Sequence, residues 1–168
     1  MSDAEQTEKI KVGWFTFSCC EDNTVIMTEI MNDHWQEWKK LFDFRHARVL
    51  QSKNVMDEFD IAFVEGAIAA PEHEEKLKEI RSLSKILVAI GSCACSGMPS
   101  SQRNNFDEHQ KAKVQFLIDK FKMAENVKKL SDVVTVDYQV PGCPMTPENF
   151  LKTVDTAVAA LRNPSNES

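Results

Sequence analysis

Apolar positions fall into short blocks separated by stretches that are apolar on one side only. Ile10 to Phe17 is a compact run rich in β-formers that stops at Ser18, Cys19 and Cys20, which predicts a strand followed by a loop. From Asp22 to Phe42 the period changes. Ile26, Ile30, Met31, Trp35, Trp38 and Leu41 recur mostly at spacings of three and four, as one helix face requires, with Asp22 or Asn23 placed to cap it. A short strand is expected around Ala47 to Leu50, and a second buried strand from Phe59 to Val64, ending at Glu65 and Gly66. Pro71, tolerated in a first turn, opens a helix through the charged run Glu72 to Arg81. Lys85 to Ile90 reads as a strand, and Gly91 to Asn105, rich in Gly, Ser and Pro, as loop. Val114, Leu117, Ile118 and Phe121 mark another amphipathic helix, and Val133 to Val136 one more strand. After the breakers Pro141, Gly142 and Pro144, a stripe of Leu151, Val154, Val158 and Leu161 gives a last helix capped by Thr146.

Strands that are apolar throughout, alternating with helices, imply a parallel sheet covered on both faces. Right-handed crossovers make such a sheet doubly wound, so the expected class is a flavodoxin-like α/β fold. With 168 residues and 42% apolar content, the chain suits one domain, expected over residues 9–162. Residues 1–8 and 163–168 are polar and aperiodic and are expected to be flexible. No run approaches a membrane span, and the acidic N-terminus has no apolar leader core, so the expected compartment is the cytoplasm. A net charge of −6 with a pI near 5.3 excludes a phosphate-tracking surface, and no nucleic-acid partner is expected.

Five cysteines suit metal binding or catalysis better than a disulfide framework in a reducing compartment. Cys19 and Cys20 follow the first strand, Cys93 and Cys95 follow Lys85 to Ile90, and Cys143 follows the Val133 to Val136 segment after a short linker. The C-terminal ends of parallel strands share one edge, where ligands bind in open α/β folds, so distant cysteines converge there. Converging thiolates suit zinc or an iron–sulfur cluster. Structural zinc usually takes paired C-x₂₋₄-C knuckles, whereas here one pair is adjacent and the others are scattered, which favours a cluster. Buried core thiols and a structural zinc domain stand as the alternatives. Joint ligation by Cys19 and Cys20 requires an irregular turn, because neighbours on a strand point to opposite faces.

The segments W-F-T-F-S-C-C-E, V-E-G-A-I, G-S-C-A-C-S-G-M-P followed by R-N, and V-P-G-C-P resemble the small subunits of [NiFe] hydrogenases. The related cluster-bearing subunit of complex I has the same architecture. The resemblance runs from Lys9 to about Leu161. It implies that Cys19, Cys20, Cys93 and Cys143 hold one [4Fe–4S] cluster, with Cys95 spare, and that the nickel–iron centre lies in a large partner subunit. The chain is then expected to be a non-catalytic electron-transfer subunit, passing electrons between that partner and further iron–sulfur or flavin subunits. Adjacent cysteines are the habit of the complex I branch, which keeps an NADH/quinone oxidoreductase cluster subunit as the alternative. V-E-G is the hydrogenase form of its loop, and Met98 and Met145 depart from the usual Gly and Pro. The resemblance puts the Glu65 carboxylate beside the cluster, placed for proton transfer. His34 lies on the polar or boundary side of its helix, while His46, His73 and His109 read as isolated from one another. Trp14, Trp35 and Trp38 read as core or interface.

Overall fold

The computed structural model describes residues 8–163, so the expectations for residues 1–7 and 164–168 lie outside the described residues. Five strands, β1 (Ile10–Thr16), β2 (Phe42–Ala47), β3 (Phe59–Glu65), β4 (Ser84–Ile90) and β5 (Tyr138–Val140), form one sheet in the order β2-β1-β3-β4-β5. Every pairing is parallel, with Val12 opposite Ile61 and Ala62 opposite Leu87. The helices are α1 (Asp22–Leu41), α2 (Pro71–Ser82), α3 (Gly91–Ser96), α4 (Glu108–Lys120) and α5 (Pro147–Arg162).

Strand side chains alternate between faces, and the sheet divides the interior accordingly. Ile61 and Phe63 of β3 join Met27, Ile30 and Trp38 of α1 and Phe150 and Val154 of α5. Ala62 and Val64, one residue out of phase, join Leu77 and Ile80 of α2 together with Leu130. Both faces of the sheet are dry, so its central strands are apolar throughout, and the fold is the flavodoxin-like doubly wound sheet expected. Thr146 caps α5, its hydroxyl accepting from Asn149 N–H at 3.4 Å.

Five elements differ from the sequence expectation. Neither Asp22 nor Asn23 caps α1; Glu21 does, in the left-handed region at φ 64° and without a side-chain bond. The strand expected at Ala47 to Leu50 lies earlier, because α1 runs straight into β2. Phe42 is both the helix C-cap and the residue registered against Ile10, and its spacing from Trp38 had matched the helical stripe. The expected loop from Gly91 to Asn105 holds α3 and a 3-10 turn, Ser100–Asn105, built from small residues that carry no readable apolar period. The last strand is Tyr138–Val140 rather than Val133 to Val136. Asp137 receives the Leu87 N–H on its carboxylate at 2.7 Å and starts the ladder, while the valines before it pack on the α2 face. Finally, α4 is not amphipathic toward the core: Ile118 alone is buried, and Phe116 and Phe121 are 64% and 63% exposed.

Candidate functional site

The strand ends deliver four loops to one edge, and backbone bonds tie these loops together in pairs. After β1, Ser18 pairs with Ala67 in the loop after β3, N–H to carbonyl at 3.1 and 2.9 Å in the two directions. The carbonyl of Gly142, before Cys143, accepts from Ser92 N–H at 2.8 Å, which joins the Cys143 and Cys93 loops. The Ser100 hydroxyl reaches both the Ser18 carbonyl at 3.3 Å and Cys93 Sγ at 3.4 Å. Asn23, buried one turn after Cys20, accepts from Met145 N–H at 2.8 Å and packs against Gly91 so closely that a Cβ there would meet its amide nitrogen at 2.3 Å. Sequence reading had offered Asn23 only as a cap; its role as a link between loops was invisible because its partner is 122 residues away.

Cys19 and Cys20 occupy the irregular turn that joint ligation requires. Glu21 takes a positive φ, and its N–H donates to Cys19 Sγ at 3.4 Å. Cys19 is half-buried, Cys93 buried, and Cys20 and Cys143 exposed, so the group has an inner and an outer side. Burial pushes the Cys19 thiol up to about 12, helped by the charge of Glu65 and then by Cys93 and Cys20. The Cys20 thiol is also raised: the Asp22 N–H alone pulls it down, while desolvation, the Asp22 carboxyl and Cys143 outweigh it. Cys93 and Cys20 thus act on Cys19, and Cys143 acts on Cys20. Cys95 stands apart, bonded to the Ala89 carbonyl at 3.5 Å and raised to about 11 by burial with no other cysteine contributing.

Glu65, at the end of β3, is fully buried. Its Oε1 accepts from Thr16 Oγ1 at 3.1 Å and from Thr24 Oγ1, whose hydroxyl oxygen in turn accepts from the Trp14 indole at 2.8 Å. Its Oε2 has no hydrogen-bond partner among the described residues. A buried carboxylate oxygen without a partner is costly and marks a site where another group is expected. Thr16 and Thr24 were not singled out from sequence; the one available signal was their proximity to the first strand–helix turn.

The other polar candidates scatter, with one exception. His34 pairs with Glu37 at 3.7 Å and His109 lies on α4. His46 and His73, read as isolated, instead line one crevice. Trp14 and Trp38 are core, and Trp35 is 43% exposed.

The donor set fits an iron–sulfur cluster. Ionising buried thiols beside Glu65 and one another is unfavourable unless a multiply cationic group shares their charge, which is what thiolate-bound iron does. No three His, Cys, Asp or Glu side chains among the described residues stand close enough to enclose one metal ion. Gly66 and Gly142, at φ 90° and 135°, let the backbone fold tightly beside the cysteines: a Cβ would lie 2.6 Å from the Phe17 carbonyl carbon or the Pro144 oxygen.

A parallel 2-1-3-4-5 sheet with thiols gathered at its ligand edge defines a flavodoxin-like α/β protein with a soft-ligand donor set. Residues 20–157 match the family described as NADH ubiquinone oxidoreductase, 20 Kd subunit, and the chain belongs to that family. It is 31% identical over 151 residues to the coenzyme F420 hydrogenase subunit gamma of Methanosarcina barkeri, covering 84% of this chain and 51% of that protein. It is also 30% identical over 122 residues to the NAD-reducing hydrogenase HoxS subunit delta of Cupriavidus necator, covering 63% and 58%. Among solved structures, a chain of an NAD+-reducing [NiFe]-hydrogenase in the H2-reduced state superposes with a TM-score of 0.76 at 23% identity, covering 91% of this chain and 93% of that one. The chain spans about half the length of the first curated relatives it matches, at 51%, 57% and 49%. No helix among the described residues is long and apolar enough to cross a membrane.

Proposed function

We propose that this chain is the electron-transfer subunit of a [NiFe] hydrogenase-type complex and makes or breaks no substrate bond itself. One observation carries the reading: thiols from the ends of β1, β4 and β5 gather at a single edge, where Cys93 bears on Cys19 and Cys143 on Cys20, beside a buried carboxylate. In this reading Cys19, Cys20, Cys93 and Cys143 hold one [4Fe–4S] cluster. When bound, the cluster supplies a one-electron carrier whose potential follows its hydrogen bonds, charge and exposure. Cys93 and Cys19 secure its inner side, while Cys20 and Cys143 leave an outer side open to a partner. The Ser100 hydroxyl and the Glu21 N–H orient two of the sulfurs and draw off part of their charge. Glu65, held at Oε1 by two threonines, offers Oε2 to hold or pass a proton.

The partners in this reading are a large subunit with the nickel–iron centre and further iron–sulfur or flavin subunits, in the cytoplasm. The relatives named as hydrogenase subunits gamma, G and delta support it. A second reading, a complex I-like subunit serving quinone beside a nickel-free partner, is favoured by the adjacency of Cys19 and Cys20 and by the family's own description. The test is elemental analysis of the complex isolated anaerobically through this chain. The first reading expects about four irons per copy from this chain's cluster, with nickel. Iron without nickel supports the second reading, and zinc without iron would overturn both.

A further inference from the structure

In a 2-1-3-4-5 sheet the chain leaves β1 toward β2 over one face, whereas β3 leads to β4 over the other. The strand ends at such a divergence leave a crevice, and in open α/β folds that is where ligands lie. Here the crevice has a volume of about 760 Å³, within the range of small-molecule sites, and none of the four cysteines lines it. Its walls are the end of β1, the segment after β2 and the first turns of α2.

Four nitrogen-bearing side chains meet in it. Arg48 makes no ion pair or hydrogen bond among the described residues, and Lys76 is tied only to Glu79, at 2.8 Å, in a surface pair. His73 Nδ1 accepts from Ala69 N–H at 3.4 Å, so its ring proton sits on Nε2. His46 is buried and stacked on Phe15 with ring centroids 4.4 Å apart. Its Nδ1 lies 3.2 Å from the Trp14 carbonyl, which only accepts, so the neutral ring keeps its lone pair on Nε2. The crevice therefore offers two cations, one neutral donor and one acceptor. Glu21 and Glu72 also line it, and like Arg48 they are exposed. Burial lowers the proton affinity of His46, its bond to the Trp14 carbonyl raises it, and Arg48 and Lys76 lower it further.

We propose that this crevice is a binding site for a phosphate-bearing anion, held by Arg48 and Lys76, with His73 Nε2–H donating to a phosphate oxygen and His46 Nε2 accepting from a hydroxyl. Arginine suits this role because its planar guanidinium matches the paired oxygens of phosphate. The proposal stands apart from the cluster reading, since it uses none of the cysteines.

Isothermal titration of the full chain at physiological ionic strength, with inorganic phosphate in one arm and adenosine monophosphate in the other, tests it. Saturable binding is expected in at least one arm, weakened about ten-fold or more by Arg48→Gln. Tighter binding of the nucleotide assigns the site to organic phosphates, and equal binding assigns it to the free ion. The His46 ring signals, followed by NMR in the unsubstituted chain, are expected to titrate at higher pH once the anion is added. Absence of saturable binding in both arms, binding that Arg48→Gln leaves unchanged, or an unmoved His46 titration would overturn the proposal.

Discussion

At the scale of single residues, the two chemical roles differ in how much context they need. A cluster ligand needs a thiolate at a given point, and serine there offers a harder, more basic oxygen. Cys143→Ser and Cys93→Ser are expected to remove most of the iron from anaerobically isolated protein, whereas Cys95→Ser retains it, because Cys95 bonds to the Ala89 carbonyl and the Val140 backbone and feels no other thiol. Equal iron loss in all three variants would contradict that division. The role proposed for Glu65 uses its carboxyl together with the two threonines that hold it. Glu65→Gln keeps an oxygen for Thr16 and Thr24 but carries no exchangeable acid proton, so turnover of the assembled complex is expected to fall and its pH profile to change, with the iron content intact. An unchanged pH profile would remove Glu65 from the proton path.

At the scale of elements, the loops at the sheet edge matter more than the helices that cover the faces. Gly66 lies at φ 90°, directly against the Phe17–Ser18 backbone, and its neighbour Ala67 pairs with Ser18, so the β1 and β3 loops dock through this point. Gly66→Ala imposes both a strained backbone and a contact of 2.6 Å with a main-chain atom that cannot swing away. It is expected to destabilise by about 1–3 kcal/mol or more in chemical denaturation and to lower iron loading in parallel. The helix α4 is the contrast. Phe116 and Phe121 project outward, so Phe116→Gln with Phe121→Gln is expected to leave the midpoint of unfolding within about 0.5 kcal/mol of the parent per site. A large loss would mean that the helix is packed more deeply than its exposure indicates.

At the scale of the whole molecule, stability depends on pH through His46, whose proton affinity burial holds below its ordinary 6.5. The unfolded chain takes up that proton first as pH falls, so the contribution is complete above pH 6.5 and drains away below it, toward the folded-state value. His46→Gln is expected to flatten the stability profile in that window, read from denaturation midpoints at a series of pH values. The sequence by itself determined the broad architecture: apolar strands alternating with helices leave few arrangements other than a parallel sheet, and period-2 alternation splits each strand between two cores. It also set the cysteines at strand ends, which a parallel sheet must gather on one edge. Local breaks carried less information. The start of β2 was hidden inside a helical period at Phe42, and β5 was misplaced because Asp137 pairs across to Leu87, 50 residues earlier. Only the tertiary structure decided that Thr16 and Thr24 hold Glu65, that Asn23 bridges two loops, and that His46 and His73 share a crevice. Each of these depends on contacts between residues far apart in the chain, and no periodicity encodes such a contact until the sheet order brings its partners together.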